Sequence, residues 1–279
     1  MEEKVKISVI MSVFNPVHQR RFEKAVESIV QQTFKDWELL LYDDGSAAPF
    51  DARIRQVAQL DDRILYLRGN ENKGLGGALN VCIERAAGEY IARMDDDDFS
   101  RPDRLERQYA FLQTHPAYQW VGSNAELRDA KGVWGYQKMP EKPEKRDFLF
   151  NSPFIHPSVL FRRDTLRRVN GYLASKKFLL CEDYELFMRL YQNGYKGYNI
   201  QEPLLQYWED YASYQKRTYR RRIREMRLRY HGFQNLSILN HNTFYYVLKP
   251  LVAGVIPAPV HHYIQRKVKR SKKIGGAKS

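Results

Sequence analysis

The chain has 279 residues, with 46 Lys and Arg against 33 Asp and Glu and a formal net charge of +13. That length supports one large α/β domain or two smaller ones, and 43% hydrophobic residues with 19 Tyr and 14 Phe exclude wholesale disorder. Two cysteines, Cys82 and Cys181, are too few for a disulfide framework or a zinc site and suit a reducing compartment.

The charge is uneven. From Tyr211 to Ser279 there are 16 basic residues and one acidic residue, Glu225, a net of +15 that leaves the first 210 residues at −2. A near-neutral body therefore carries a strongly basic C-terminal segment, residues 211–279. The N-terminus does not read as a signal peptide, because Glu2 and Glu3 cancel Lys4 and Lys6 and the apolar run stops at Asn15-Pro16. No stretch approaches the ~20 apolar residues that span a bilayer. The nearest, Phe244–Val260, is interrupted by Lys249, Pro250, Pro257 and Pro259.

Lys6–Phe14 is an apolar, β-branched run, the pattern of a strand buried on both faces of a parallel sheet. Phe22, Val26, Ile29 and Val30 recur at helical spacing between about His18 and Gln32. Trp37–Tyr42 reads as a second strand ending in the turn-forming Asp43-Asp44-Gly45-Ser46. A polar helix over Phe50–Leu60 leads to a third strand, Arg63–Arg68. The segment Asn72–Gly77 then opens a helix reaching about Ala87, and a fourth strand, Glu89–Met94, runs into Asp95-Asp96-Asp97-Asp98. Pro102 suits the first turn of a helix ending near His115.

This β-α alternation over residues 1–115 predicts an α/β fold with a doubly wound, mostly parallel, Rossmann-like sheet. Ligands of such sheets bind beyond the carboxyl ends of the strands, where Asn15-Pro16, Asp43–Ser46 and Asp95–Asp98 all fall. From Trp120 the alternation breaks. Strands are predicted at Trp120–Leu127, Val133–Lys138 and His156–Phe161, helices at Arg163–Val169 and Glu182–Asn193, and extended chain at Gly197–Trp208. Residues 116–210 thus form a second half of the body.

Four adjacent aspartates repel one another. They read either as a solvated helix N-cap or as an oxygen-ligand site for a hard divalent cation, which would relieve the repulsion. The Lys73–Gly77 segment is a glycine-rich turn into a helix or an approach of backbone N–H groups to phosphates; it is not a P-loop. Glu182 and Asp183 suit the first turn of a helix, and a carboxylate there can also serve as general base toward a hydroxyl. His156, beside Pro157, is a lone histidine of structural character. G-x-S-x-G and HExxH patterns are absent.

Five ordered segments carry a resemblance: VKISVIMSVFN, LLLYDDGS, NKGLGGALNVCIERAAGEYIARMDDDDFSRPDRLERQ, HPSVLFRRD and CEDYELFMRL. Over residues 5–210 the chain resembles the family-2 glycosyltransferases of GT-A fold, in the subgroup of bacterial capsule, O-antigen and exopolysaccharide assembly. The resemblance implies a catalytic domain over 1–210, split into a nucleotide-sugar-binding half (1–115) and an acceptor-binding half (116–210). It implies that Asp44 recognises the base, that Ser12 and Phe14 line the nucleotide pocket, and that Lys73 and Gly74 approach the nucleotide. Asp97 would be a metal ligand assisted by Asp95, with Asp96 near the ribose, Mn2+ or Mg2+ as cofactor, and Asp183 as catalytic base. Asp96 stands where the family has a small residue, and Phe14 where Tyr is common.

The implied activity is inverting transfer from a nucleotide-diphosphate sugar, foremost a UDP-sugar, to a saccharide or lipid-linked saccharide hydroxyl. Two other readings are a sugar nucleotidyltransferase and a nucleic-acid-binding protein that uses the basic segment, although the acidic strand ends would repel phosphate backbones. In that segment Tyr219, Ile223, Met226 and Tyr230 form one helical stripe among arginines. A proline-broken apolar stretch (Leu251–Val260) and a second basic cluster (Arg266–Lys273) follow. The segment either packs on the body or makes peripheral contact with an anionic membrane, at the cytoplasmic face for a protein of this kind.

Overall fold

The structure, a computed structural model, describes residues 5–175, 181–211 and 218–274. Glu2, Glu3 and Lys4, weighed above for a signal peptide, lie outside them, as do Lys216 and Arg217 of the basic segment.

Strands β1 (Ile7–Val13), β2 (Trp37–Asp43), β3 (Ile64–Arg68) and β4 (Tyr90–Arg93) pair in parallel in the spatial order β3-β2-β1-β4. They alternate with α1 (Gln19–Val30), α2 (Phe50–Ala58) and α3 (Gly74–Arg85). The doubly wound class expected from the sequence is observed. Successive side chains of a strand face opposite ways, and here both ways are buried. Val9, Met11, Leu39 and Leu41 pack with Phe22, Val26 and Ile29 of α1 on one face. Ile10, Leu40 and Tyr42 pack with Ala78, Leu79 and Cys82 of α3 on the other.

Beyond β4 the sheet continues through β8 (Leu160–Arg162), β6 (Trp120–Asp129), β9 (Gly197–Trp208) and the two-residue β5 (Phe99–Ser100), with β7 (Gly132–Gln137) paired to β6. β8 runs antiparallel to both β4 and β6, so β4 and β6 point the same way. The strand predicted over His156–Phe161 is in fact a 3-10 turn, His156–Ser158, followed by β8. Pro157 has no N–H to give a ladder, and the Ser158 N–H turns back to the Ile155 carbonyl. Helices α4 (Arg104–Thr114), α5 (Arg163–Arg168) and α6 (Glu182–Gln192) complete the body.

The C-terminal segment forms α7 (Tyr219–Asn235), α8 (Phe244–Val255) and α9 (Ala258–Ile274). Residues from both sides of Tyr211 share one core, since Leu228, Phe233, Leu236 and Val247 join Trp120, Phe148, Tyr184 and Phe187. Of the stripe expected on α7, Met226 packs against the core of the body, but the fully buried residues of the helix lie on another face. Leu228, Arg229, Gly232 and Phe233 are buried there, while Tyr219 and Tyr230 are exposed. Pro250 lies inside α8, where it cannot donate to the carbonyl four residues earlier, that of Tyr246. The buried guanidinium of Arg229 donates to that carbonyl instead, at 3.3 Å, as well as to the carbonyl of Leu149 at 2.9 Å.

Candidate active site

The polar strand ends meet at one edge. After β1, Asn15 adopts φ +46°; its N–H donates to Ser46 Oγ at 2.9 Å and its Oδ1 accepts the Ala47 N–H at 2.9 Å. After β2, Asp43 is locked into the fold by the Ser46 N–H, Tyr66 Oη and Arg68. Asp44 is buried and accepts the backbone N–H groups of Lys73 (2.8 Å) and Gly74 (2.9 Å) at the start of α3. Burial raises its carboxyl above the ordinary range, and the two N–H bonds pull it back. Gly45 is required between them. Its φ is +78°, and a Cβ there would lie 2.9 Å from the Glu71 carbonyl carbon.

The second group is the aspartate run after β4. Carboxylate oxygens of Asp95, Asp97 and Asp98 lie within 4.8 Å of one another. Asp98 is fully buried; its Oδ1 accepts the Trp208 N–H at 2.7 Å, and its Oδ2 has no hydrogen-bond partner among the described residues. Burial first, then the charges of Asp97 and Asp95, push its carboxyl well above the usual range. Asp96, outside that trio, is pushed up to about 8 by burial and by Asp97 and Asp95. Arg93, the last residue of β4, is buried and binds Asp95 at 2.5 Å. Arg21 stacks over the Trp208 ring at 3.6 Å and lies 3.8 Å from Asp97.

An all-oxygen donor set holding a buried, unpartnered carboxylate oxygen fits a hard divalent cation, because an unpaired buried charge is costly. The fit differs from the sequence expectation by one residue: Asp98 joins Asp95 and Asp97. The signal was present in the four-aspartate run, but which members face one another depends on the chain turning after Arg93.

The third group opens α6. Asp183 and Asp95 line the same cavity of about 450 Å³, together with Arg93, His156 and Glu182. Burial raises the Asp183 carboxyl, opposed by the Tyr184 N–H and by the charges of Arg221 and Arg93. His156 is buried and bonds Tyr172 Oη at 2.6 Å, and burial with the nearby Arg93 charge drives its imidazole well below its ordinary range. It is thus a neutral wall of the cavity, in line with its structural character. The start of α3 reaches the same place, since a Cβ on Gly76 would touch Glu182 Cγ and Tyr172 Cβ at 3.4 Å.

Of the remaining expected residues, Ser12 pairs with Tyr42 near the end of β1, and Phe14 stands 48% exposed just past it. Sequence reasoning missed Arg93, and the ligand pair implied by the resemblance left out Asp98 of the four-aspartate run. An arginine closing a fully buried strand, immediately before an acidic run, was the available sign. It also missed that α7 and α9 reach the cavity, which Arg221, Arg222, Glu225 and Lys269 help to line.

Comparison with known proteins places this site in context. The sequence pattern of the family described as glycosyl transferase family 2 matches residues 8–169. EpsE of Bacillus subtilis (strain 168) is 35% identical over 274 residues, covering 97% of this chain and 96% of EpsE. An Escherichia coli UDP-Gal:alpha-D-GlcNAc-diphosphoundecaprenol beta-1,3-galactosyltransferase is 27% identical over 279 residues, covering 95% of this chain and 97% of that enzyme. Among solved structures, the mannosyltransferase PcManGT of Pyrobaculum calidifontis, in complex with GDP-Man and Mn2+, superposes with a TM-score of 0.62. It is 16% identical and covers 96% of this chain and 81% of that one, a likeness of fold.

Proposed function

The chain belongs to glycosyl transferase family 2, and on that premise we propose that it is an inverting, metal-dependent glycosyltransferase of bacterial surface-polysaccharide synthesis. It moves a sugar from a nucleotide-diphosphate sugar, foremost a UDP-sugar, to a hydroxyl of a saccharide or lipid-linked saccharide. The observation that carries this reading is the single cavity lined by Asp95 of the acidic trio and by Asp183. The galactosyltransferase relative, whose name specifies UDP-Gal and a diphosphoundecaprenol-linked sugar, supports the donor and acceptor classes.

Each residue has a chemical task in this proposal. Asp44, already fixed by two N–H bonds, has acceptor capacity left for a nucleobase N–H. In the same proposal Ser12 and Phe14 would line the nucleotide pocket, Lys73 and Gly74 would approach the nucleotide, and Asp96 would lie near the ribose. Asp95, Asp97 and Asp98 would hold Mn2+ or Mg2+, which when bound neutralises charge developing on the departing diphosphate. Asp183 takes the proton of the acceptor hydroxyl, and one base with in-line attack inverts the anomeric centre. Incubation with a panel of nucleotide sugars should show binding and slow hydrolysis of one donor with Mn2+ and neither with EDTA. Turnover that EDTA leaves intact would overturn the metal assignment, and an absence of binding across the panel the donor class.

The C-terminal helices support a location as well. No helix among the described residues is long and apolar enough to cross a membrane. Helices α8 and α9 nevertheless expose Val252 (67%), Val255 (77%) and Tyr263 (67%), beside the cationic Lys249, Lys267 and Arg270. Apolar side chains flanked by basic ones suit the interfacial zone of an anionic bilayer, each basic group adding on the order of 1 kcal/mol. We propose peripheral attachment to the cytoplasmic face of the plasma membrane through this surface. The full chain is expected to co-sediment with phosphatidylglycerol vesicles and not with phosphatidylcholine vesicles. Val255→Asp combined with Tyr263→Asp should abolish the binding; equal sedimentation of parent and variant would dismiss this surface as the anchor.

A further inference from the structure

The cavity of Asp95 and Asp183 is completed by residues remote in sequence. Arg221 and Arg222 enter it from the first turn of α7, and Lys269 enters from α9. Most of its cations are already committed. Arg93 holds Asp95, Arg222 lies 3.4 Å from Glu225, and Lys269 donates to both oxygens of Glu209 at 3.1 and 2.9 Å. Arg221 differs. Its backbone N–H is held by Thr218 Oγ, but among the described residues its guanidinium makes no ion pair. Its charge is felt by both Asp183 and Cys181 at the start of α6. Arg93 also presents a buried Nε and Nη1 to which no acceptor is bonded, in the wall of the same cavity.

We infer that the C-terminal segment contributes a phosphate subsite to the acceptor side of the active site, with Arg221 as its reader. A guanidinium offers a planar fork of donors that matches phosphate oxygens two at a time. Its place beside Asp183, rather than beside Asp44, puts the bound phosphate near the hydroxyl that loses its proton. The ligand class is therefore an acceptor bearing a phosphate or diphosphate, such as the head of a lipid-linked saccharide. This rests on the glycosyltransferase reading above and adds a specificity-determining residue to it. It also gives part of the basic segment a role in the reaction, alongside any role at a surface.

Isothermal titration of the full chain separates acceptor phosphate from donor phosphate. UDP is titrated first with Mn2+; decyl diphosphate and decyl glucoside are then titrated into the UDP-loaded protein. Decyl diphosphate should bind more tightly than decyl glucoside, and Arg221→Ala should weaken it by about tenfold or more. Arg221→Lys should recover part of the loss, and UDP affinity should change by less than about twofold. An equal loss for UDP would move Arg221 to the donor diphosphate and overturn the inference. So would diphosphate binding that is unchanged in Arg221→Ala, or that is no tighter than glucoside binding in the parent. Failure of the parent to bind UDP would count against the glycosyltransferase reading instead, and the diphosphate titration of the unloaded protein would still read Arg221.

Discussion

Asp183→Asn is expected to lower the rate of sugar transfer by about 10³-fold while UDP affinity stays within about twofold. Asparagine keeps the size and place of the side chain at the start of α6 but cannot take a proton. Asp183 lies far along the chain from the aspartate run, yet the two share a cavity. The substitution therefore separates proton removal from donor binding. The raised carboxyl adds a pH signature. Burial lifts it first, and the Tyr184 N–H, Arg221 and Arg93 pull it down, leaving it net above the ordinary aspartate range. A base must be deprotonated to act, so kcat/KM should fall as pH drops through a value higher than that of a solvated aspartate. The asparagine variant should lose that acid limb. Transfer assays across pH, with titration of UDP into both proteins, measure both effects. Near-normal transfer by the variant would assign the base elsewhere.

The first 115 residues of this molecule were legible because their signals are local. β-branched runs such as Lys6–Phe14 have the pattern of a parallel strand buried on both faces, and β1 does pair in parallel with β2 and β4. Strand ends announce where ligands gather, and Asn15, Asp44 and Asp95 do lie at neighbouring ends. Legibility stopped where contacts join distant segments. That Asp98 takes the Trp208 N–H depends on the position of β9, 110 residues away. The basic segment was read by its charge, whereas its packing is set by Leu228, Phe233 and the buried Arg229. No periodicity distinguishes an arginine that closes a helix around Pro250 from one that faces water.

The acidic trio carries the second large effect, and its sign depends on whether a cation is present. Asp98 Oδ2 is buried and unpartnered, with Asp95 and Asp97 carboxylates within 4.8 Å. In EDTA that arrangement is a net cost, only partly offset by the Arg93 charge. Asp98→Asn removes the charge yet keeps an oxygen to accept the Trp208 N–H. The metal-free variant should therefore melt higher than the metal-free parent, by roughly 3 °C for about 1 kcal/mol in a chain of this size. With Mn2+ the order should reverse. A cation bound only to the folded state stabilises it by about 2.7 kcal/mol at a hundred times its dissociation constant, and the variant gives up one of the ligands that set that constant. Thermal melts of both proteins in EDTA and in Mn2+ form the complete square. A variant that melts lower in EDTA would mean that the Asp98 charge serves the fold itself, through its neighbours Arg93 and Arg104. Equal Mn2+ shifts in both proteins would place the cation on Asp95 and Asp97 alone. Only the crossing of the two curves identifies the trio as a site whose repulsion is held ready for a bound cation.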